Sequence, residues 1–447
     1  MQSLRTFKPS TSQNPSPCQW LTIGLLFVII LVAGQHNVAY SVHYDEIMHV
    51  SSRELAETVE AGSIARRIAL LVLLVGAAFM LIRTRGRDTD QTIIRSNMSL
   101  SCFVVLAFLS VLWSDEPSLT FRRSTEYLIL CIGAAATGRI LGARGVVWLG
   151  FLGSTGYLVI GLVSEVVLGT FRPFSLDYRF CGTLHPNHQA WNCCLLLISG
   201  SVLLPQLCRF WRPACLLAMF LGAACLLLTK SRTSLVCGML ALAFYWARRM
   251  SGMQKLRLVY FSGTILVAVL FAATLLDARL TSRLDQTLLA GRDQDTYQNF
   301  SGRIPLWSLC MEYVGVRPLT GYGFESFWTM DHISDISAQE GWTVPISHNG
   351  FIELMLGVGV TGLTLYLYQL ASTWRLLQRS YGATYDPYVR FYLALSLFYF
   401  ACMFAEAIAF DIGLPTFCLL SMLWSREQFA AVPSESITQT ARTIHAY

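Results

Sequence analysis

The sequence predicts an all-α, polytopic integral membrane protein, on three observations. Of its 447 residues, 54% are hydrophobic and only 13% are charged. The apolar residues come in blocks separated by short polar stretches, and each block matches the roughly 20 residues that a helix needs to cross a bilayer core. Backbone N–H and C=O groups find no water inside lipid, so each block must satisfy them internally as a helix.

About twelve such blocks follow one another, near residues 20–36, 67–82, 98–113, 126–141, 146–169, 189–208, 213–229, 234–247, 258–276, 350–373, 388–406 and 412–424. The first has no small-residue cleavage pattern such as A-x-A nearby and is followed by further blocks, so it reads as a signal anchor. Residues 1–19 then form a cytoplasmic amino-terminal segment, 20–276 the first nine spans, 277–347 a large outer loop, 348–424 the last three spans, and 425–447 a polar cytoplasmic tail.

Basic residues set the orientation. With the amino terminus inside, Arg5, Lys8, Arg83, Arg85, Arg87, Arg95, Arg139, Arg144, Arg209, Arg212, Arg248, Arg249, Lys255, Arg257, Arg375 and Arg379 are cytoplasmic, as the positive-inside tendency requires. Both termini lie inside, and the first outer loop carries Asp45, Glu46, Glu54, Glu57 and Glu60. The formal charge of +6 reflects these inner loops and implies no nucleic-acid partner. The thirteen cysteines fall mostly in apolar blocks with no CxxC pair, so they read as small packing residues rather than metal ligands. Cys181 and Cys310 fall outside the blocks, and a disulfide between them is left open.

Some cations sit on the side where orientation gives no reason for them. Lys230 and Arg232 of "LLLTKSRTSL" occupy a very short outer link, where a basic pair is costly unless something anionic or polar receives it. The outer loop is long enough to need a task. Leu280, Leu284 and Leu288 recur every four residues, and Ile304, Trp307, Met311 and Val314 every three or four, so two short amphipathic helices are expected. Arg303 begins the second, and "RPLTGYG" from Arg317 ends it. His348 and Asn349 follow at the mouth of the tenth block. Lys230, Arg232, Arg303, Arg317 and His348 therefore gather at the outer boundary, where guanidinium groups suit a phosphate and a histidine suits proton transfer.

These residues resemble the O-antigen ligases and related lipid-linked polysaccharide polymerases. The shared mark is His348-Asn349, nine residues from Gly350 to Val358, then Gly359-Val360-Thr361-Gly362. "SRTS" at 231–234, "GRIPLW" at 302–307 leading into "RPLTGYGFESF", and "GTLHPNHQA" at 182–190 with Asn187 are also similar to that family. The likeness covers about 180 to 365, and earlier residues match only in hydropathy. It implies transfer of a glycan from an undecaprenyl-diphosphate carrier to an acceptor hydroxyl at the outer, periplasmic face of the inner membrane, inverting, without metal or other cofactor. Lipid A core, a glycan or a protein is the acceptor. Arg232 and Arg303 would hold the diphosphate, with Lys230 and Arg317 as further candidates, and His348 would be the general base. Asn349, Asn187 and Glu353 would support the site.

Plainer readings stand beside these. His348 can cap the tenth helix, the arginines can pair with outer acids, and Gly357, Gly359 and Gly362 read as close-packing positions. His185 and His188 lack a carboxylate or thiolate at metal-site spacing. "DQD" at 293–295 resembles a nucleotide-sugar metal pair but falls on the outer side. Glu406 and Asp411 lie at the end of the eleventh block and can be sites or core pairs. The rival function is a multi-span transporter of an anion or lipid-linked saccharide; no inverted symmetry is visible, and the charges cluster at one face.

Overall fold

A computed structural model describes residues 16–34, 36–44, 63–83, 97–175, 178–248 and 303–429. The 258–276 block, the 280–288 helix, the 293–295 acids and the acids from 45 to 60 lie outside the described residues. Among the described residues the structure is helical throughout, without strands. Its helices are α1 (Pro17–Ala33), α2 (Ile64–Arg83), α3 (Met98–Leu109), α4 (Pro117–Val167), α5 (Pro186–Leu203), α6 (Arg212–Leu228), α7 (Arg232–Ala247), α8 (Arg303–Val316), α9 (Met330–Glu340), α10 (Gly350–Thr384), α11 (Pro387–Cys402) and α12 (Leu414–Trp424). By length and composition α2, α4 and α10 suffice to cross a membrane, and α1, α3, α6, α7, α11 and α12 are shorter apolar helices.

Local chemistry sets the helix ends. Ser16 and Gln19 form a reciprocal cap on α1 and Pro17 takes its first turn, where the missing proline N–H costs nothing. Asp386 accepts the Tyr388 N–H at 2.7 Å to start α11. The fourth and fifth apolar blocks form two helical segments, 117–141 and 143–167, separated by the non-helical backbone of Gly142 (φ 61°, ψ −179°) and labelled together as α4. The start of the expected tail is docked, with a short turn at Arg426–Phe429 whose neighbour Ser425 is buried.

α4 is the central strut. It packs against α12, α5 and α2, while α5 carries α6 and α7, α7 reaches α11, and α10 joins α3 to α11. α1 closes the side formed by α2 and α4. α9 was not foreseen from the sequence: its apolar positions Ile333 and Ile336 are buried, but the segment is polar enough to read as loop. With α8 and the first half of α10 it makes a second apolar core around Leu306, Cys310, Phe327 and Leu356.

The glycines of the tenth block do more than allow close packing. α10 breaks at Val358 and Gly359 (φ 67°), and the "RPLTGYG" loop fills the break. Tyr322 N donates to Leu356 O at 2.8 Å, Gly323 N to Gly357 O at 2.9 Å, and Val360 N to Pro318 O at 2.8 Å. The groups freed by the break are thus satisfied within protein, the condition under which irregular backbone is tolerated at membrane depth. No disulfide joins any of the thirteen cysteines, and Cys181 and Cys310 are both buried.

Candidate active site

His348 sits in the turn that enters α10, with φ 53°. Such left-handed backbone is uncommon for a side chain with a Cβ and concentrates at functional sites. Neighbours on both sides fix the turn. Asn349 caps α10 by accepting from Phe351 N (3.0 Å) and Ile352 N (3.2 Å), and its Nδ2 donates to Phe404 O at 3.2 Å. Glu353 accepts from Ser347 N at 2.6 Å and from Trp328 Nε1 at 3.1 Å. Trp307 Nε1 donates to Ser347 O at 2.9 Å. Asn349→Ala is therefore expected to cost about 1 kcal/mol or more, read as a lower melting temperature. Asn349→Asp should recover the cap but not the amide contact to Phe404.

Burial, reinforced by Arg303 and then His188, holds the His348 imidazole down to about 3 from its ordinary 6.5. At neutral pH it is an uncharged base. Its ring faces Trp342, with centroids 6.4 Å apart at 27°.

Beside it, Arg303 opens α8 and donates to Ala405 O and, at 3.2 Å, to Glu406 Oε1. Glu406, only 4% exposed, also accepts from Asn187 Nδ2 at 3.1 and 3.2 Å. Burial pushes its carboxyl up, and Arg303 pulls it back. His185 caps α5 through an acceptor nitrogen 3.2 Å from Asn187 N. Burial, then His188 and Arg179, keep it far below the ordinary histidine range. His188 stacks on Trp191 at 4.5 Å and lies 3.6 Å from Asp411.

The structure thus brings His348, Asn349, Glu353, Arg303 and Asn187 into one connected region. Lys230, with φ 53°, sits in the turn between α6 and α7 and Arg232 begins α7; Arg179 ties this turn to the His185 segment through an Nε contact of 3.1 Å to Thr229 O. Arg317 does not join this group. It pairs with Asp115 at 2.9 Å and lies 4.6 Å over the Tyr322 ring. Its neighbours dock at Leu356 to Val360, about 15 Å along α10 from His348 at 1.5 Å per residue.

Several residues here escaped the sequence reading. Arg179, Arg66, Arg67, Arg122 and Arg123 are further cations at this end of the bundle, legible by the same break in charge asymmetry that singled out Arg232. Glu165 was hidden inside an apolar block; it accepts from Cys181 N at 2.9 Å and Gly182 N at 2.7 Å, anchoring the segment before Asn187. Glu325, with φ 53°, has its carboxyl raised to about 7 by burial, against the pull of Arg123 and Arg66.

Apolar helices enclosing a neutral histidine, an arginine and buried carboxylates at one end define a membrane-embedded protein with a polar terminal site. Residues 217–367 match the family model described as O-antigen ligase. The chain is 25% identical over 288 residues to the exopolysaccharide production protein ExoQ of Rhizobium meliloti (strain 1021), covering 60% of this chain and 62% of that protein. Over these residues the chain is similar to the O-antigen ligase family.

Proposed function

We propose that this protein transfers a glycan from an undecaprenyl-diphosphate carrier to an acceptor hydroxyl at the periplasmic face of the inner membrane, with inversion and without a metal. The observation that carries this reading is the uncharged imidazole of His348, held in a left-handed turn beside Arg303. An acceptor hydroxyl is a poor nucleophile until its proton has somewhere to go, and a neutral imidazole provides that place. Departure of the diphosphate builds negative charge on its oxygens. Arg303, with Arg232 and Lys230 from the neighbouring turn, supplies fixed positive charge for it. Glu406 and Asn187 orient Arg303, and Glu353 and Asn349 orient the turn that carries the base. Trp342 offers a flat apolar face for a sugar next to the histidine. Arg317 has no part in holding the diphosphate in this reading, because its loop docks at Leu356 to Val360, away from His348.

The break in α10 is the one feature that favours a transporter, since interrupted helices often bind ions there. Loop N–H groups already bond two of the freed carbonyls, Leu356 O and Gly357 O, which argues against an ion there.

Transfer in proteoliposomes tests the proposal, using a lipid-diphosphate-linked oligosaccharide, candidate acceptors and a chelator. Glycan accumulating on lipid A core, on lipid-linked glycan or on protein distinguishes ligase, polymerase and protein-directed enzymes. Saccharide crossing the bilayer without any transfer would replace the enzyme by the transporter. Glu406→Gln is expected to lower transfer about tenfold, the loss of one charge-assisted contact at about 1.4 kcal/mol, with Glu406→Asp partly restoring it.

A further inference from the structure

Three carboxylates, Glu353, Glu406 and Asp411, stand at the polar end of the bundle, and two of them are occupied by protein donors. Glu353 accepts from Ser347 N and Trp328 Nε1. Glu406 accepts from Arg303 Nη2 and Asn187 Nδ2. The Asp411 carboxylate accepts no hydrogen bond among the described residues. His188 Nδ1 lies 3.6 Å from its Oδ1, beyond hydrogen-bond length. Arg66 acts on it from α2, but the ion-pair partner of Arg66 is Glu126, at 3.0 Å.

Asp411 follows the short turn Ile408–Phe410 that links α11 to α12. A Cβ on Gly413 would overlap Asp411 Oδ2, so the glycine makes room for the carboxylate. The Asp411 side chain is 20% exposed and that of His188 40%, while Trp191 backs the His188 ring at 4.5 Å. An ionised carboxylate offers about four lone-pair sites. One that is mostly withdrawn from water, with no protein donor, is a ready acceptor for the O–H groups of a ligand. Two neighbouring hydroxyls of a sugar ring present such donors side by side, one to each oxygen.

We propose that Asp411 and His188 form the subsite that holds a sugar ring of the acceptor glycan through two neighbouring hydroxyls, an inference that rests on the transfer reading above. The charged groups acting on His348 are Arg303 and His188, so the base adjoins both the phosphate-binding arginine and this pair. Inversion requires the acceptor hydroxyl to enter opposite the departing diphosphate, which leaves on the side of Arg303. The negative charge of Asp411 repels a diphosphate and tolerates a neutral sugar. Asp411 itself is not among the groups acting on His348, which suits contact with hydroxyls beside the reacting one.

Saturation-transfer NMR on the full chain in nanodiscs, with methyl hexopyranosides and their monodeoxy counterparts as probes, reads the subsite without catalysis. At least one hexoside is expected to bind, about tenfold more weakly once either of two adjacent hydroxyls is removed, and about tenfold more weakly to Asp411→Asn. The two losses should not add, because both remove the same contact. The deoxy probes need no substitution, so they decide the case even where Asp411→Asn does not fold. Sugar-free polyprenyl diphosphate should leave hexoside binding unchanged. In the transfer assay Asp411→Asn should raise KM for the acceptor about tenfold at unchanged donor KM. Absence of hexoside binding, indifference to deoxygenation, or losses that add overturns the subsite. Displacement by polyprenyl diphosphate, or a rise in donor KM, gives the pair to the donor and overturns the acceptor role. Hexoside binding that meets these expectations in a protein that transfers glycan to no acceptor keeps the sugar subsite and removes both the transfer reading and the acceptor role.

Discussion

Replacing His348 by asparagine is expected to cut glycan transfer by about 10²- to 10⁴-fold, the usual contribution of a general base, while the protein remains folded. Asparagine is the informative substitution because it tolerates the left-handed region better than most side chains, and position 348 has φ 53°. Alanine would mix loss of the base with backbone strain. The pH dependence has a definite sign. With the imidazole held near 3, its basic form is fully populated from pH 8 down to about 5, so acidification over that span should not slow the step that His348 serves. For stability, the unfolded chain binds a proton near 6.5 that the folded chain refuses until about 3. The contribution of His348 is therefore constant above 6.5 and declines as pH falls from 6.5 towards 3. Melting temperatures across that window should fall less steeply in the asparagine variant. A transfer rate that titrates near 6.5, or a variant as active as wild type, would falsify the assignment of His348 as a buried neutral base.

Gly359→Ala should be among the most destabilising single substitutions in the chain. A Cβ at this position would stand 2.2 Å from the carbonyl carbon and oxygen of Leu319 and 2.6 Å from Thr320 N, on backbone with φ 67°. The left-handed conformation alone costs about 1–2 kcal/mol for an L-residue. The clash is with backbone, which no rotamer change relieves, so the loop has to leave the break. Its departure strands the carbonyls of Leu356 and Gly357 and the N–H of Val360, each an unsatisfied group costing about 1–3 kcal/mol when buried. Gly315→Ala is the control. It lies inside α8 with open space around a built Cβ, and alanine there is expected to be neutral or to stabilise by about 0.5–1 kcal/mol. Thermal unfolding in detergent should separate the two variants clearly; equal melting temperatures would mean that the docked loop adds nothing to stability.

Hydropathy alone determined that the chain is helical and membrane-embedded, because in lipid a segment's backbone groups leave only that solution. Charge asymmetry and motif spacing, which are one-dimensional signals, singled out His348, Arg303 and Asn187 as candidates. Other features depended on residues distant in sequence. Arg303 and Arg317 look alike in the chain, but Glu406 lies 103 residues from the first and Asp115 lies 202 from the second, and those partners decide which arginine faces the histidine. Arg66 and Glu126 became an ion pair only when α2 and α4 packed side by side. The spacing from His348 to Gly359 was legible as a motif, but its physical reason was not. Gly359 is required because a loop some forty residues earlier presses its backbone into the broken helix, and no local pattern records how closely two distant backbones approach.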